Sequence, residues 1–379
     1  MTDELPVPPL AELRTRQSAK WRTYPSDVLP LTVAEMDFPL APPVAAALQQ
    51  AVARSDTGYA LASPDLGKAL AGFAGRRWDW DLDPTSVTSV TDVGVGVVEL
   101  LRVLTRPGDR VVISPPVYPP FFHWAPEAGT ELLEVPLTED YRLDLPALDR
   151  AFATQPGVYV LCHPHNPVGR VHSRGELTEL VTLAKRHGVV VISDEIHAPL
   201  VLPGAEFTPL LTVPGAADVA ISLMSASKAW NLAGLKCAAA ITASPAMADV
   251  VARMAPDIRW RTGHFGVLAS IAAFTDSEPW LEQLLSTLVA RRALLGELLA
   301  EHLPSVRWQP PSATYLAWLD CSAIGPGDTV RDLFLVKGKV ALEPGSRFGA
   351  PGDGCVRLNF GTSAELLEQA VTGMAAALA

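Results

Sequence analysis

Between residues 87 and 241 the chain alternates, and that alternation restricts its fold more than any other feature. Short β-branched runs at Val87–Val90, Arg110–Ser114, Glu131–Val135, Val158–Cys162, Gly188–Ser193 and Asp218–Met224 are separated by helical patterns such as Val97–Leu104, Leu145–Thr154 and Glu176–His187. Strands interleaved with helices of that length build βαβ units and a mainly parallel sheet. The strand runs are nearly all apolar, as they must be when helices cover both faces. In such α/β sheets ligands bind beyond the carboxyl ends of the strands. Thr91, Asp92, Tyr118, Asn166, Asp194, Ser225 and Lys228 each follow an apolar run and so fall there.

Outside this stretch the pattern changes, and 379 residues are long for a single core. After about residue 276 comes a long amphipathic helix, Glu278–Leu303, whose apolar face is Leu281, Leu284, Leu285, Leu288, Leu295, Leu298 and Leu299. A strand at Thr314–Leu319, a helix at Thr329–Val336, strands at Val340–Leu342 and Val356–Asn359 and a last helix follow without regular alternation. That is the pattern of a separate α+β domain. At the other end, an amphipathic piece at Leu10–Trp21 and an extended segment at Leu31–Pro39 precede helices at Val44–Ala53 and Asp65–Trp78. We expect a large domain over residues 47–275 and a smaller α+β domain from 1–46 and 276–379.

Charge and composition exclude several classes. A net charge of −11 disfavours nucleic acid and anionic membranes as partners. No apolar run reaches the roughly 18 residues of a spanning helix, and the acidic, proline-containing start at Met1–Pro6 lacks the design of a signal peptide. Cys162, Cys237, Cys321 and Cys355 are scattered without a C-x-x-C pair, which fits reduced thiols in the cytoplasm. His163 and His165 flank a proline and have no third ligand at helpful spacing, so no metal is expected.

The chemistry converges on the stretch Ser225-Ala226-Ser227-Lys228-Ala229-Trp230-Asn231-Leu232-Ala233-Gly234-Leu235-Lys236. A lysine among small hydroxyl residues at the mouth of a strand suits a Schiff base with an aldehyde cofactor. The small neighbours admit a phosphate, and Lys236 can add a second cation. Alone this is more often an ordinary loop lysine. Asn166, in Asn166-Pro167-Val168-Gly169-Arg170, is also a turn signature, and Asp194 is also a cap. Arg357 is either a surface ion pair or a clamp for a carboxylate, and Tyr118 either simple packing or a ring stacked on a cofactor. Taken together, the ordered set Tyr118, Asn166, Asp194, Ser225, Lys228 and Arg357 is improbable by chance.

With these residues in place, the chain resembles fold-type I pyridoxal-phosphate enzymes of the class I/II aminotransferase superfamily from about Ala34 to Ser363. More narrowly it resembles the MalY/PatB-type cystathionine β-lyases. The narrower resemblance rests on Ala34-Glu35-Met36-Asp37-Phe38, Pro116–Phe121, Asn166–Val171, Asp194-Glu195-Ile196-His197, Asn231–Leu235 and Arg357–Ser363. It implies an aspartate aminotransferase-like fold with a mainly parallel seven-stranded sheet. It implies that Lys228 holds the cofactor aldehyde and moves the Cα proton, that Asp194 pairs with the ring nitrogen and Asn166 with the ring hydroxyl, and that Tyr118 stacks on the ring. Ser225, Ser227, Lys236 and the amides near Val93 and Gly94 would hold the phosphate, with His197 beside the cofactor. Arg357, together with Asp37, Tyr59 and Asn166, would bind the substrate. Tyr59 would reach the phosphate from a neighbouring subunit, which implies a homodimer with shared sites.

Departures from the family pattern bear on the reading. Asp92 stands where glycine is usual, Lys236 replaces a frequent arginine, Glu35 replaces aspartate, and His197 replaces a tyrosine common in aminotransferases. The last favours β-elimination from cystathionine or another cysteine S-conjugate, giving pyruvate, ammonia and a thiol. The alternatives are an aminotransferase on the same site and a cofactor-binding protein with a regulatory role. A Rossmann dinucleotide site is disfavoured, because Thr91-Asp92-Val93-Gly94-Val95-Gly96 only partly echoes its glycine pattern.

Overall fold

Seven strands of the alternating region form one sheet, seen in a computed structural model that describes residues 4–60 and 64–378, Arg259 through its backbone alone. The first three residues and the last, at the limits of the expected smaller domain, lie outside the described residues. The sheet order is Val87–Val90, Ala238–Ile241, Ala220–Met224, Val190–Asp194, Val158–Cys162, Arg110–Ile113 and Glu131–Glu134. Ala238–Ile241 runs antiparallel to both its neighbours, and every other pairing is parallel.

Both faces of this sheet are covered, and the strands show it by alternation. Val112, Tyr159, Leu161 and Val191 belong to one buried hydrophobic cluster, whereas Val111, Ile113, Val158, Val160 and Ile192 belong to another. Successive side chains point to opposite faces, so each strand feeds two cores and has no polar face to spare. Each such buried aliphatic side chain contributes about 1.5–3 kcal/mol over leaving it in water.

Local signals set the element ends. The helix Arg174–His187 starts from a capping box, Ser173 with Glu176, and stops at Gly188 in the left-handed conformation (φ 69°), which glycine takes without a Cβ clash. The following strand therefore begins at Val190 and runs on to Asp194. Asp218 closes a short 3-10 turn and its strand begins at Ala220. The helix expected from Val97 starts at Val93. Its glycines are contact residues: a Cβ on Gly96 would lie 3.2 Å from Leu223 and 3.3 Å from Val90. The helix packs close on the sheet, which aims its N-terminus past the strand ends.

The remaining strands form two smaller sheets. Glu343–Pro344, Cys355–Asn359, Leu316–Asp320 and Arg307–Trp308 make an antiparallel four-stranded sheet. Leu29–Pro30 pairs in parallel with Val340–Ala341, which ties the N-terminal segment to the C-terminal one. The helix Glu278–His302 buries all seven leucines of its expected apolar face. Among the described residues no helix is long and apolar enough to cross a membrane.

Candidate active site

The parallel strands end on one cavity of about 290 Å³, near the lower limit of the roughly 300–1,000 Å³ usual for small-molecule sites. Register brings Cys162 and Asp194, each the last residue of its strand, side by side. The neighbouring strand Ala220–Met224 leads into the loop with Lys228. Of the expected residues, Val93, Gly94, Tyr118, Asn166 and Asp194 line the cavity, as do His197, Ser227, Lys228 and Lys236. Residues separated by 143 positions thus meet because parallel strands deliver their following loops to one edge.

The lysine loop is held from several sides. Ser225 Oγ donates to the Cys237 carbonyl (2.7 Å) and accepts from the Ser227 amide. Asn231 and Met36 exchange two hydrogen bonds, Met36 N–H to Asn231 Oδ1 and Asn231 Nδ2 to the Met36 carbonyl, both 2.9 Å. Asn231 and Lys236 both sit at positive φ, 61° and 59°, conformations that side-chain-bearing residues rarely hold unless their surroundings enforce them.

Charge in the cavity is arranged by burial. Burial, helped by the charge of Arg357, brings the Lys228 amine down to about 8; its Nζ donates to the Ala34 carbonyl at 3.1 Å. Burial lifts the Asp194 carboxyl to about 7, against the Ile196 amide that donates to it at 3.1 Å and the charge of Lys228. His197 falls to about 3 through burial, then Lys228 and Arg357, and so stays neutral, its Nδ1 without a partner among the described residues. Burial also raises the Tyr118 hydroxyl.

At the helix start, Asp92 Oδ1 caps the Val95 amide (2.8 Å) while Oδ2 pairs with Lys236 Nζ (2.9 Å). The amides of Val93 and Gly94, at the head of the helix, have no partner among the described residues. A Cβ on Gly94 would lie 3.2 Å from Trp124 Nε1, so the glycine lets the helix approach that ring.

Four expected residues take other positions. Arg357 lies behind the cavity wall, buried, with Nη1 donating to Asn166 Oδ1 (3.1 Å), Nη2 to the Thr32 carbonyl (2.9 Å) and Nε left unpartnered. Ser225 spends its hydroxyl inside the loop and does not line the cavity. Asp37, expected to bind substrate, is 1% exposed and committed to Lys20 Nζ (2.8 Å) and Trp21 Nε1 (3.0 Å). That expectation is corrected: the carboxylate clamps the N-terminal segment. Tyr59 is 82% exposed, edge-on to Trp260, itself 60% exposed.

Three site residues carried no signal of their own in the sequence. Trp124 and Cys162 line the cavity, and Tyr315, fully buried, donates to the same Ala34 carbonyl that accepts from Lys228. Only the position of Cys162 at a strand end pointed toward the site.

These features fit a phosphorylated pyridine aldehyde. The free amides, Ser227 and Lys236 suit a phosphate. Arg357 occupies Asn166 Oδ1, which leaves Nδ2 as the donor. A buried carboxylate suits a ring nitrogen, and a partly neutral amine suits an aldehyde carbon. Among the described residues no group of three or more His, Cys, Asp or Glu side chains could hold a metal ion.

Comparison with known proteins gives concordant results. The profile of the family "Aminotransferase class I and II" matches residues 26–374. A Mycobacterium leprae protein provisionally named a cystathionine beta-lyase is 47% identical, covering 97% of this chain and 96% of its own. "Cystathionine beta-lyase PatB" of Bacillus subtilis is 35% identical over 96% of this chain and 97% of its own. A crystal structure from Corynebacterium diphtheriae, provisionally named a PLP-dependent beta-cystathionase, superposes with a TM-score of 0.94 at 35% identity, covering 99% of both chains.

Proposed function

The chain belongs to the class I and II aminotransferase family, and on that footing we propose that it is a pyridoxal-phosphate-dependent carbon–sulfur lyase. Its reaction would be β-elimination: L-cystathionine or another cysteine S-conjugate plus water gives a thiol, pyruvate and ammonia. The observation that carries this reading is the one cavity lined together by Asn166, Asp194, His197 and Lys228, in which burial lowers the amine to about 8 and raises the carboxyl to about 7. Such paired displacements mark proton-transfer sites.

Bound there, the cofactor supplies a protonated pyridine ring that acts as an electron sink for negative charge at the substrate Cα. Asp194, ionised beside a cationic ring nitrogen, keeps the proton on that nitrogen. Lys228 takes the Cα proton. An amine near 8 is partly neutral at working pH and still basic enough to accept it. Arg357, behind the wall, holds Asn166 in place, and its Nε, without a partner among the described residues, is the donor left to orient the substrate carboxylate. His197 stays neutral, so no further cation competes with Lys228 for Asp194. The C–S bond breaks with its electron pair on sulfur, and a thiolate, whose acid lies near 8.5, leaves without a strong acid.

The exposed Tyr59–Trp260 pair supports a homodimer in which Tyr59 of the partner subunit completes the phosphate site. Four buried free thiols support a reducing compartment, the cytoplasm.

The test is direct. Purified protein with pyridoxal phosphate and L-cystathionine should release pyruvate and a free thiol in equal amounts without an added keto acid. Lys228→Ala should lose at least the ~10²–10⁴-fold that a positioned proton-transfer group supplies. Turnover that requires a keto acid and frees no thiol would make the enzyme an aminotransferase.

A further inference from the structure

A second cavity, about 560 Å³, lies next to the first, with Ala233 as a wall of both. Its walls include Arg16, Trp21, Glu35, Phe38, Leu40 and Asn231. We propose that this cavity receives the leaving-thiol end of the substrate and that the Glu35 carboxylate selects thiols carrying a cationic group. This rests on the lyase reading and deepens it.

The backbone at Glu35 is fixed from several elements. Its amide donates to the Val33 carbonyl (2.8 Å), and its carbonyl accepts from Lys20 Nζ (3.2 Å) and Asn359 Nδ2 (2.7 Å). The next residue is locked to Asn231 in the lysine loop. The side chain, by contrast, has no hydrogen-bond or ion-pair partner among the described residues, though it lines the cavity. A clamped backbone fixes where the side chain springs from, and the unpaired carboxylate is left available to a cation. Its charge reaches the catalytic amine, where it opposes the lowering by burial and Arg357. The site therefore lies within electrostatic range of the reacting carbon. Arg16 donates to the Asp37 carbonyl at 2.9 Å and lines the same cavity. A distal group bearing both ammonium and carboxylate, as in cystathionine, meets both charges.

The experiment compares S-(2-aminoethyl)-L-cysteine with S-(2-carboxyethyl)-L-cysteine, which differ in the charge on the departing thiol. The holoenzyme should favour the cationic conjugate in kcat/KM. Glu35→Gln should shrink that ratio by about tenfold, the loss of one charge-assisted contact. Glu35→Asp should keep its direction and Glu35→Lys should invert it. The proposal is overturned if Glu35→Gln changes both conjugates alike, or if the wild type favours the anionic one. Pyruvate from neither conjugate in the wild type would sink the lyase reading separately. The dissociation constants of the same two ligands, titrated by the change in cofactor absorbance, then decide. A ratio that collapses in Glu35→Gln supports the site, and an unchanged ratio removes it.

Discussion

Replacing Asp194 by asparagine should make the cofactor-free protein more stable and the cofactor-bound protein less so. The carboxyl is held at about 7 by burial, against an ordinary 3.8. A folded pKa above the unfolded value means that the folded chain binds more protons between those limits. Stability therefore falls as pH rises from about 4 to about 7 and stays reduced above. At about 1.4 kcal/mol per pH unit the ionised carboxylate costs about 4 kcal/mol near pH 8. That is a large share of the 5–15 kcal/mol typical of a folded domain. Asparagine has the same shape, and its oxygen can still accept from the Ile196 amide, so the substitution removes charge and little else. Urea unfolding of cofactor-free wild type and variant should show near-equal midpoints near pH 4 and a variant advantage of a few kcal/mol near pH 8. Cofactor closes that gap and then reverses the order. A ligand at 1,000 times its dissociation constant adds about 4.1 kcal/mol, enough to cancel the variant's advantage, and the wild type should gain it at cofactor concentrations where the variant gains little. If the variant's advantage is absent near pH 8, or equally large near pH 4, the carboxylate is not the strained group we describe. If both proteins bind cofactor alike, it does not serve the ring nitrogen.

Lys20→Met leaves Asp37 buried with only the Trp21 indole as partner, and should cost about 3–5 kcal/mol in urea unfolding. The double variant Lys20→Met/Asp37→Leu should recover most of that; a KM defect without a stability defect in Asp37→Asn would restore the substrate-binding role. Arg357→Lys cannot span Asn166, Thr32 and a carboxylate with one ammonium. It should lower kcat/KM by about 10–100-fold, the worth of a charge-assisted contact, mostly through KM; an unaltered KM would place the carboxylate elsewhere. Mixed dimers of Tyr59→Phe and Lys228→Ala chains carry one site with both native residues, so mixing two impaired proteins should restore up to about a quarter of wild-type activity. No recovery on mixing would mean that Tyr59 does not act across subunits.

What could be read before the structure and what could not divide along a physical line. The sheet was legible because its strands are buried on both faces, and double burial writes itself as continuous apolar runs. The long helix Glu278–His302 was legible because seven leucines at helical spacing have one place to go. The glycines at 94 and 96 leave the helix start open in the sequence, since a glycine is chosen equally by a turn and by a close approach. Here the approach decides, and the helix starts four residues before its apolar pattern becomes plain. The lining of the cavity was legible where the expected chemistry demands a residue type, as at Lys228, Asp194 and Asn166. It was opaque where position alone makes a residue matter. Asp37 and Glu35 stand two apart in one motif, and nothing in the sequence says which carboxylate is spent on Lys20 and which is left facing a cavity. The tertiary packing makes that assignment: Lys20 and Trp21 close on Asp37, while the segment is pinned through Met36 to the lysine loop. The carboxylate expected among the ligand groups is spent on Lys20 and Trp21, and the one that stands in place of an aspartate lines a cavity with no partner among the described residues.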